Sequence, residues 1–171
     1  GGRVAEDSYI AGDVLDLVDQ ISADLRRDLQ IPKRHDVPDL PASEYFTSNE
    51  AALEPYGQAR NLMLIENDWG AALARLQQAV AADPTFTLAQ YTLATGLLLN
   101  NRRAEAVAPI QAALTNSYRL PERAQFGLKA DYYGITGDLD KAWAVVEMWA
   151  ELYPQDFDGF LPGAMSYPPF I

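Results

Sequence analysis

Three short segments recur along this chain at a nearly constant spacing, and that recurrence limits its fold more than any other feature. They are Asn67-Asp68-Trp69-Gly70-Ala71-Ala72, Asn101-Arg102-Arg103-Ala104-Glu105-Ala106 and Gly137-Asp138-Leu139-Asp140-Lys141-Ala142. Ala72 and Ala106 lie 34 residues apart, and Ala106 and Ala142 lie 36 apart. The first and third units also close alike, on Ala82-Asp83-Pro84 and on Tyr153-Pro154. A period in this range marks an array of small supersecondary units, none of which can bury its own apolar face without a neighbour. Alanine is required where two helices cross closely, and larger apolar residues fill the gaps around the crossing.

The pattern resembles the tetratricopeptide repeat (TPR). In the first unit the matching residues are Tyr56, Ala72, Leu76, Ala79 and Pro84. In the second they are Leu93, Ala94, Leu97, Ala106, Ile110 and Ala113, and in the third Phe126, Ala130, Tyr133, Ala142, Val146 and Pro154. Phe160, Ala164 and Tyr167 match the opening helix of a fourth unit. The resemblance implies an all-α fold, a TPR-type right-handed helical solenoid of about three helix-turn-helix repeats plus flanking helices. The repeats are expected at about 53–86, 87–122 and 123–156 within the segment 48–154, with 155–171 as a partial fourth repeat or capping segment.

The turns and the departures carry their own expectations. Asn67, Asn101 and Asp138 are each placed to cap the following helix, Pro84 to stop the preceding one, and Pro121 to occupy a first helical turn. Arg60 stands where a small residue is usual, which predicts looser packing in unit one. Pro109 falls inside the second helix of unit two, where it removes a bond to Glu105 and should kink the helix. Trp149 replaces a small residue late in unit three, and the extra residues of the longer spacing are expected within 115–120.

Upstream, residues 13–30 have helical periodicity. Val14, Leu17, Val18, Ile21, Leu25 and Leu29 share one face, with Asp16, Gln20, Ala23 and Arg27 opposite. Pro32, Pro38 and Pro41 mark 31–47 as an extended linker, and Thr47 with Glu50 has capping-box spacing. Pro55 either kinks the next helix or opens the first repeat helix. The run from Gly12 to Ser22, followed by Leu25-Arg26-Arg27-Asp28-Leu29, resembles the last helix of a TolB-like domain, which precedes TPR units in bacterial multidomain signalling proteins. Thr47-Ser48-Asn49-Glu50-Ala51 and Arg119-Leu120-Pro121-Glu122-Arg123 resemble the same family. The likeness implies that 1–30 is the tail helix of a preceding domain, or a free N-terminal helix. It also implies a regulatory segment of a longer protein whose upstream output is a Ser/Thr kinase, a nucleotide cyclase or a winged-helix regulator. The abrupt ends of the chain carry the same expectation. The expected location is cytoplasmic, the alternative being the periplasmic part of a membrane-anchored regulator.

Charge and composition narrow the function. Lys and Arg number 13 against 24 Asp and Glu, a formal charge of −11, so the surface repels phosphate backbones and direct nucleic-acid binding is not expected. The absence of cysteine excludes disulfides, thiolate metal sites and cysteine nucleophiles. The longest apolar run, Leu97-Leu98-Leu99, predicts no membrane insertion by this segment. His35 is the sole histidine and has no companion ligand nearby in sequence. Asp13, Asp16 and Asp19 read as the start of a solvated helix. Asp156-Phe157-Asp158-Gly159 opens like a calcium loop, but Tyr167 stands where the bidentate Glu is needed. Trp69, Tyr132, Tyr133, Trp143 and Trp149 read as core aromatics. No phosphate-cradling, nucleophile-elbow or zincin motif is present, so no catalytic residue, metal or cofactor is assigned.

The expected activity is therefore recognition of a protein or peptide partner. The TPR likeness implies a groove lined by the first helix of each unit: Gly57, Asn61 and Leu64, then Leu88, Tyr91, Thr95 and Leu98, then Gly127, Asp131 and Gly134. Tyr91 would be the aromatic anchor beside polar Asn61, Thr95 and Asp131. A carboxylate-gripping clamp is not expected, because Asp131 would repel a terminal carboxylate. Three alternatives stay open. The N-terminal helix could fold back into the groove, the repeats could self-assemble through the Trp149 end, or the segment could be the regulatory tail of an enzyme.

Overall fold

The computed structural model describes residues 2–29 and 41–154, with side chains from Val14 onward apart from Ser43. Phe160, Ala164 and Tyr167, the 156–159 loop, and the linker residues Pro32, His35 and Pro38 lie outside the described residues. Among the described residues the chain is all-helical and has no strand. A long α1 (Gly2–Asp28) precedes a single turn α2 (Ala42–Tyr45). Six further helices follow: α3 (Glu50–Asn61), α4 (Trp69–Ala82), α5 (Thr87–Leu99), α6 (Arg103–Thr115), α7 (Glu122–Thr136) and α8 (Leu139–Leu152). A π-helical turn, Leu62–Glu66, prolongs α3, and a 3₁₀ turn, Ser117–Arg119, leads into α7 across the stretch expected to hold the extra residues.

Helices pack on their sequence neighbours. The most extensive contacts pair α3 with α4, α5 with α6 and α7 with α8, and the pairs meet through α4–α5 and α6–α7. Small residues sit at these crossings. Ala52, Ala59, Ala72, Ala79, Ala89, Ala94, Ala106 and Ala113 are all fully buried, with Leu76, Phe86, Ile110 and Leu128 filling the space between them. At the α4–α5 crossing even a methyl is excessive. A Cβ on Gly96 would lie 2.9 Å from Leu73 Cδ2 and 3.7 Å from the Trp69 ring. Pro55 and Pro109 both lie inside continuous helices, so neither interrupts its element.

The turns differ from expectation in an informative way. Asn67 and Asn101 do not cap the following helices; they adopt the left-handed conformation, at φ 53° and 58°, and Gly137 does the same at 83°. Asparagine and glycine tolerate this region where other residues are strained, so all three close the preceding helix. The next amide then donates back into that helix: Arg102 N to Leu97 O at 2.8 Å and Asp138 N to Tyr133 O at 2.9 Å. In the first pair the equivalent bond, Asp68 N to Leu62 O at 2.9 Å, spans one residue more because of the π-helical turn. N-capping falls instead to Asp68, whose carboxylate accepts from Ala71 N, and to Asp138, which accepts from Lys141 N as expected. Likewise Asn49, not Thr47, caps α3 by accepting from Ala51 N.

Thr47 has a longer-range role. Its hydroxyl donates to Asp83 at 2.6 Å, tying the segment before α3 to the α4–α5 loop. Arg119 fastens the same segment from the other side, with Nε donating to Glu44 O at 2.8 Å and Nη2 to Phe46 O at 3.3 Å. Phe46 thereby reaches Tyr56 and Phe86, in a three-ring cluster with centroids 4.8 to 6.5 Å apart. Burial acts to raise the Asp83 pKa, but hydrogen bonds from Thr47 and Thr85 and the charge of Arg119 outweigh it and hold the carboxyl below its ordinary value. A charged donor bonded to two carbonyls is worth about 1.5–3 kcal/mol per bond removed, less what water recovers. Arg119→Ala should therefore lower the unfolding free energy by about 2 kcal/mol in urea titration. It should also speed proteolytic cleavage within 41–49, whereas an unchanged cleavage rate would show that Arg119 does not hold that segment.

Candidate functional site

The expected site residues spread over three environments. Asn61 and Leu64 are exposed, Leu64 at 68 %. Leu88, Tyr91 and Thr95 are partly buried on α5, and Leu98 and Asp131 are inside, at 6 % and 1 % exposure. Thr95 uses its hydroxyl internally, donating to Tyr91 O at 3.1 Å, and Leu88 packs against the core. Asp131 therefore lies within the protein and offers no surface carboxylate to a partner.

Tyr91 and Asp131 belong to one contact between α5 and α7. The Tyr91 hydroxyl sits directly over Gly127, where an added Cβ would overlap it, and the ring carbon Cζ would lie 3.5 Å from that Cβ. Trp149 of α8 closes the far side, 3.8 Å from the same point, and stacks on Phe126 with ring centroids 6.2 Å apart. Tyr153 meets the edge of Phe126, donates its hydroxyl to Glu122 and lies under the Arg123 guanidinium at 4.8 Å. The glycine thus lets the hydroxyl end of an aromatic from one helix pair press against the backbone of the next. Burial, then the charge of Asp131, push the Tyr91 phenol above its ordinary value of 10, so it remains a neutral hydroxyl at physiological pH. Of the aromatics expected in the core, none is fully buried: Trp69, Tyr132, Tyr133 and Trp149 are partly buried, and Trp143 is 45 % exposed.

Unit one is out of register with the sequence alignment. Ala94 lies seven residues before the left-handed Asn101, and Ala130 seven before Gly137, but the buried small residue of α3 is Ala59, eight before Asn67. The π-helical turn absorbs the additional residue. Arg60, expected at the tight position, is exposed, and no loose packing results because Ala59 is fully buried there. Counting from Ala59, the positions equivalent to Tyr91 and Thr95 in unit one are Tyr56 and Arg60, not Gly57 and Asn61. Tyr56 is buried against Phe86, which leaves Arg60 as the accessible member that alignment by sequence passes over. Asn61 instead donates to Glu66 at 3.0 Å and lines an open depression with Gly57, Gln58, Leu62 and Arg75. The only sequence signal for this shift is Ala59 itself, one place before Arg60.

Chemically, the region offers shape and a few donors. Among the described residues no group of three metal-ligating side chains converges. Two measurements test the α5–α7 contact. In a double-mutant cycle, Gly127→Ala should destabilise the chain in the wild-type background and lose that cost in Tyr91→Phe, a coupling of about 1 kcal/mol or more. Additivity would show that the hydroxyl swings clear without cost. In the second, a phenol whose pKa is raised on folding contributes stability that is whole below pH 10 and is lost as the pH rises beyond it. Tyr91→Phe should therefore flatten the fall in stability above pH 10, and an unchanged alkaline slope would contradict the assignment.

Comparison with known proteins finds no matching family model, no matching curated protein and no matching solved structure.

Proposed function

We propose that the chain is a TPR-type interaction module that binds a peptide or partner domain along the first helices of its pairs, α3, α5 and α7. It is read as a regulatory segment of a bacterial signalling protein rather than a catalyst. One observation carries the repeat reading: a similar turn recurs at Asn67, Asn101 and Gly137, with a left-handed residue, a returning amide and a buried alanine upstream, seven residues away in the second and third units and eight in the first, where the π-helical turn lies between. Equivalent turns impose equivalent helix pairs, and stacked equivalent pairs form a solenoid whose first helices line one face.

The partner's chemistry follows from what that face exposes. Arg60, Leu64, Leu88, Tyr91 and Thr95 combine partly accessible apolar surface with few charges, which suits an apolar-anchored peptide. Among the described residues no helix is long and apolar enough to cross a membrane. Self-assembly through the Trp149 end is the weaker reading, because Trp149 is partly buried and already stacked on Phe126.

The test uses peptides selected from a displayed random library on the immobilised chain, with affinities then measured by calorimetry. Arg60→Glu and Leu64→Asp change exposed side chains and should each weaken binding about tenfold, or about 1.4 kcal/mol. Leu139→Ser, on the exposed side of α8, should leave it unchanged. Binding that survives both groove variants but fails in Leu139→Ser would place the working surface on the second helices instead.

A further inference from the structure

The single turn α2 does not stand by itself. A helix of four residues fixes several backbone dihedrals for very few internal bonds, and isolated helices shorter than about 12 residues are marginal in water. Its own bonds include Phe46 N to Ala42 O at 2.8 Å and Glu44 N to Pro41 O at 2.9 Å. Pro41, at its N-cap, offers no side-chain acceptor. Two side chains from elsewhere supply the missing partners. At the start of the turn, both oxygens of Asp19 on α1 accept the Ala42 amide at 2.9 Å. At its end, Arg119 donates Nε to Glu44 O at 2.8 Å and Nη2 to Phe46 O at 3.3 Å. The orphan donors and acceptors of a helix turn are thus met by a carboxylate at one end and a guanidinium at the other.

The two anchors belong to different parts of the molecule. Asp19 lies on α1, whose principal contacts are with α2 and α3. Arg119 ends the 3₁₀ turn between α6 and α7, which packs against α5 and α7 and is followed by the buried Leu120. We infer that α2 is a conformational relay: it is helical only while both Asp19 and Arg119 hold it, so a displacement of α1 melts it and releases the α6–α7 connection from the segment before α3. The two-state element is the turn itself, and each anchor biases it. Melting carries Glu44 O and Phe46 O away from the guanidinium. It also frees the backbone of Phe46, whose ring meets Tyr56 and Phe86. In an array whose pairs touch their sequence neighbours, the relay gives α1 a hold on the junction of the second and third pairs. Coupling is reciprocal, so loss of Arg119 loosens the grip of Asp19 in turn. None of this rests on the groove reading, since no residue proposed to bind a partner takes part.

The experiment is hydrogen exchange by NMR on the whole chain, read at the end of α2 opposite to each substitution. Asp19→Ala should speed exchange of the Arg119 Nε proton by about tenfold, the effect of losing one charge-assisted bond from a shared local opening. Arg119→Ala should speed exchange of the Ala42 amide by a similar factor. Asp19→Asn, which keeps an acceptor without the charge, should fall between Asp19→Ala and wild type. The α5 amides should keep their wild-type chemical shifts in all three variants, because the stack itself stays folded. Effects confined to the near end, with Asp19→Ala leaving the Arg119 Nε proton unchanged, would show two independent anchors and overturn the relay. Loss of the native α5 spectrum in Asp19→Asn as well as Asp19→Ala overturns it equally, since Asp19 would then support the whole stack rather than one turn.

Discussion

Everything in this fold depends on how closely two helices can approach. Helix axes settle at about 8–10 Å according to the side chains between them, and only alanine or glycine permits the near limit. Ala72, Ala79, Ala106 and Ala113 supply it on the second helices, and Ala59, Ala94 and Ala130 on the first. Gly96 and Gly127 go further, removing the methyl where Leu73 or Tyr91 presses in. Interiors close-packed in this way do not absorb an added methylene without shifting something, so small residues constrain this chain more than its large ones.

The turns convert that local rule into regular architecture. A left-handed residue ends each first helix, and the amide after it returns to a carbonyl near the end of that helix, so the chain reverses in nearly the same way three times. Unit one keeps this geometry although it carries an additional residue, because the π-helical turn takes up the excess without disturbing either Ala59 or Asn67. The surface feels the consequence: Arg60 moves into the position that Thr95 and Asp131 hold on the other two first helices. A shift of one residue on a helix turns a side chain by about 100°, enough to exchange an exposed position for a buried one.

The N-terminal third is attached by polar contacts rather than by its most apolar surface. Arg119 and Thr47 hold the segment before α3, and the Asp19 carboxylate receives α2. On α1 itself the inward side is marked by the Asp19 carboxylate, which accepts the Ala42 amide, and by the buried Leu15. The result is a helix whose apolar stripe from Val14 to Leu29 stays exposed.

The sequence by itself determined the helical class, the three-fold recurrence and most of the core, because the small and apolar residues that allow close crossing recur at 34 and 36 residues and are legible as a pattern. Asp138 as a cap and the stripe on α1 were equally legible, since both are properties of one helix and its neighbours in the chain. The tertiary structure alone decided which positions are accessible. Asp131 and Leu98 are buried and Arg60 is exposed because of packing between helices that lie far apart in sequence, and the π-helical turn that shifts unit one leaves no clear mark in residue type. It also assigned Asn67 and Asn101 to the ends of helices rather than their beginnings, since asparagine serves both and only the backbone angle distinguishes them. Local periodicity fixes what each segment is; which of its sides meets solvent depends on long-range contacts such as that of Arg119 with Glu44 and Phe46.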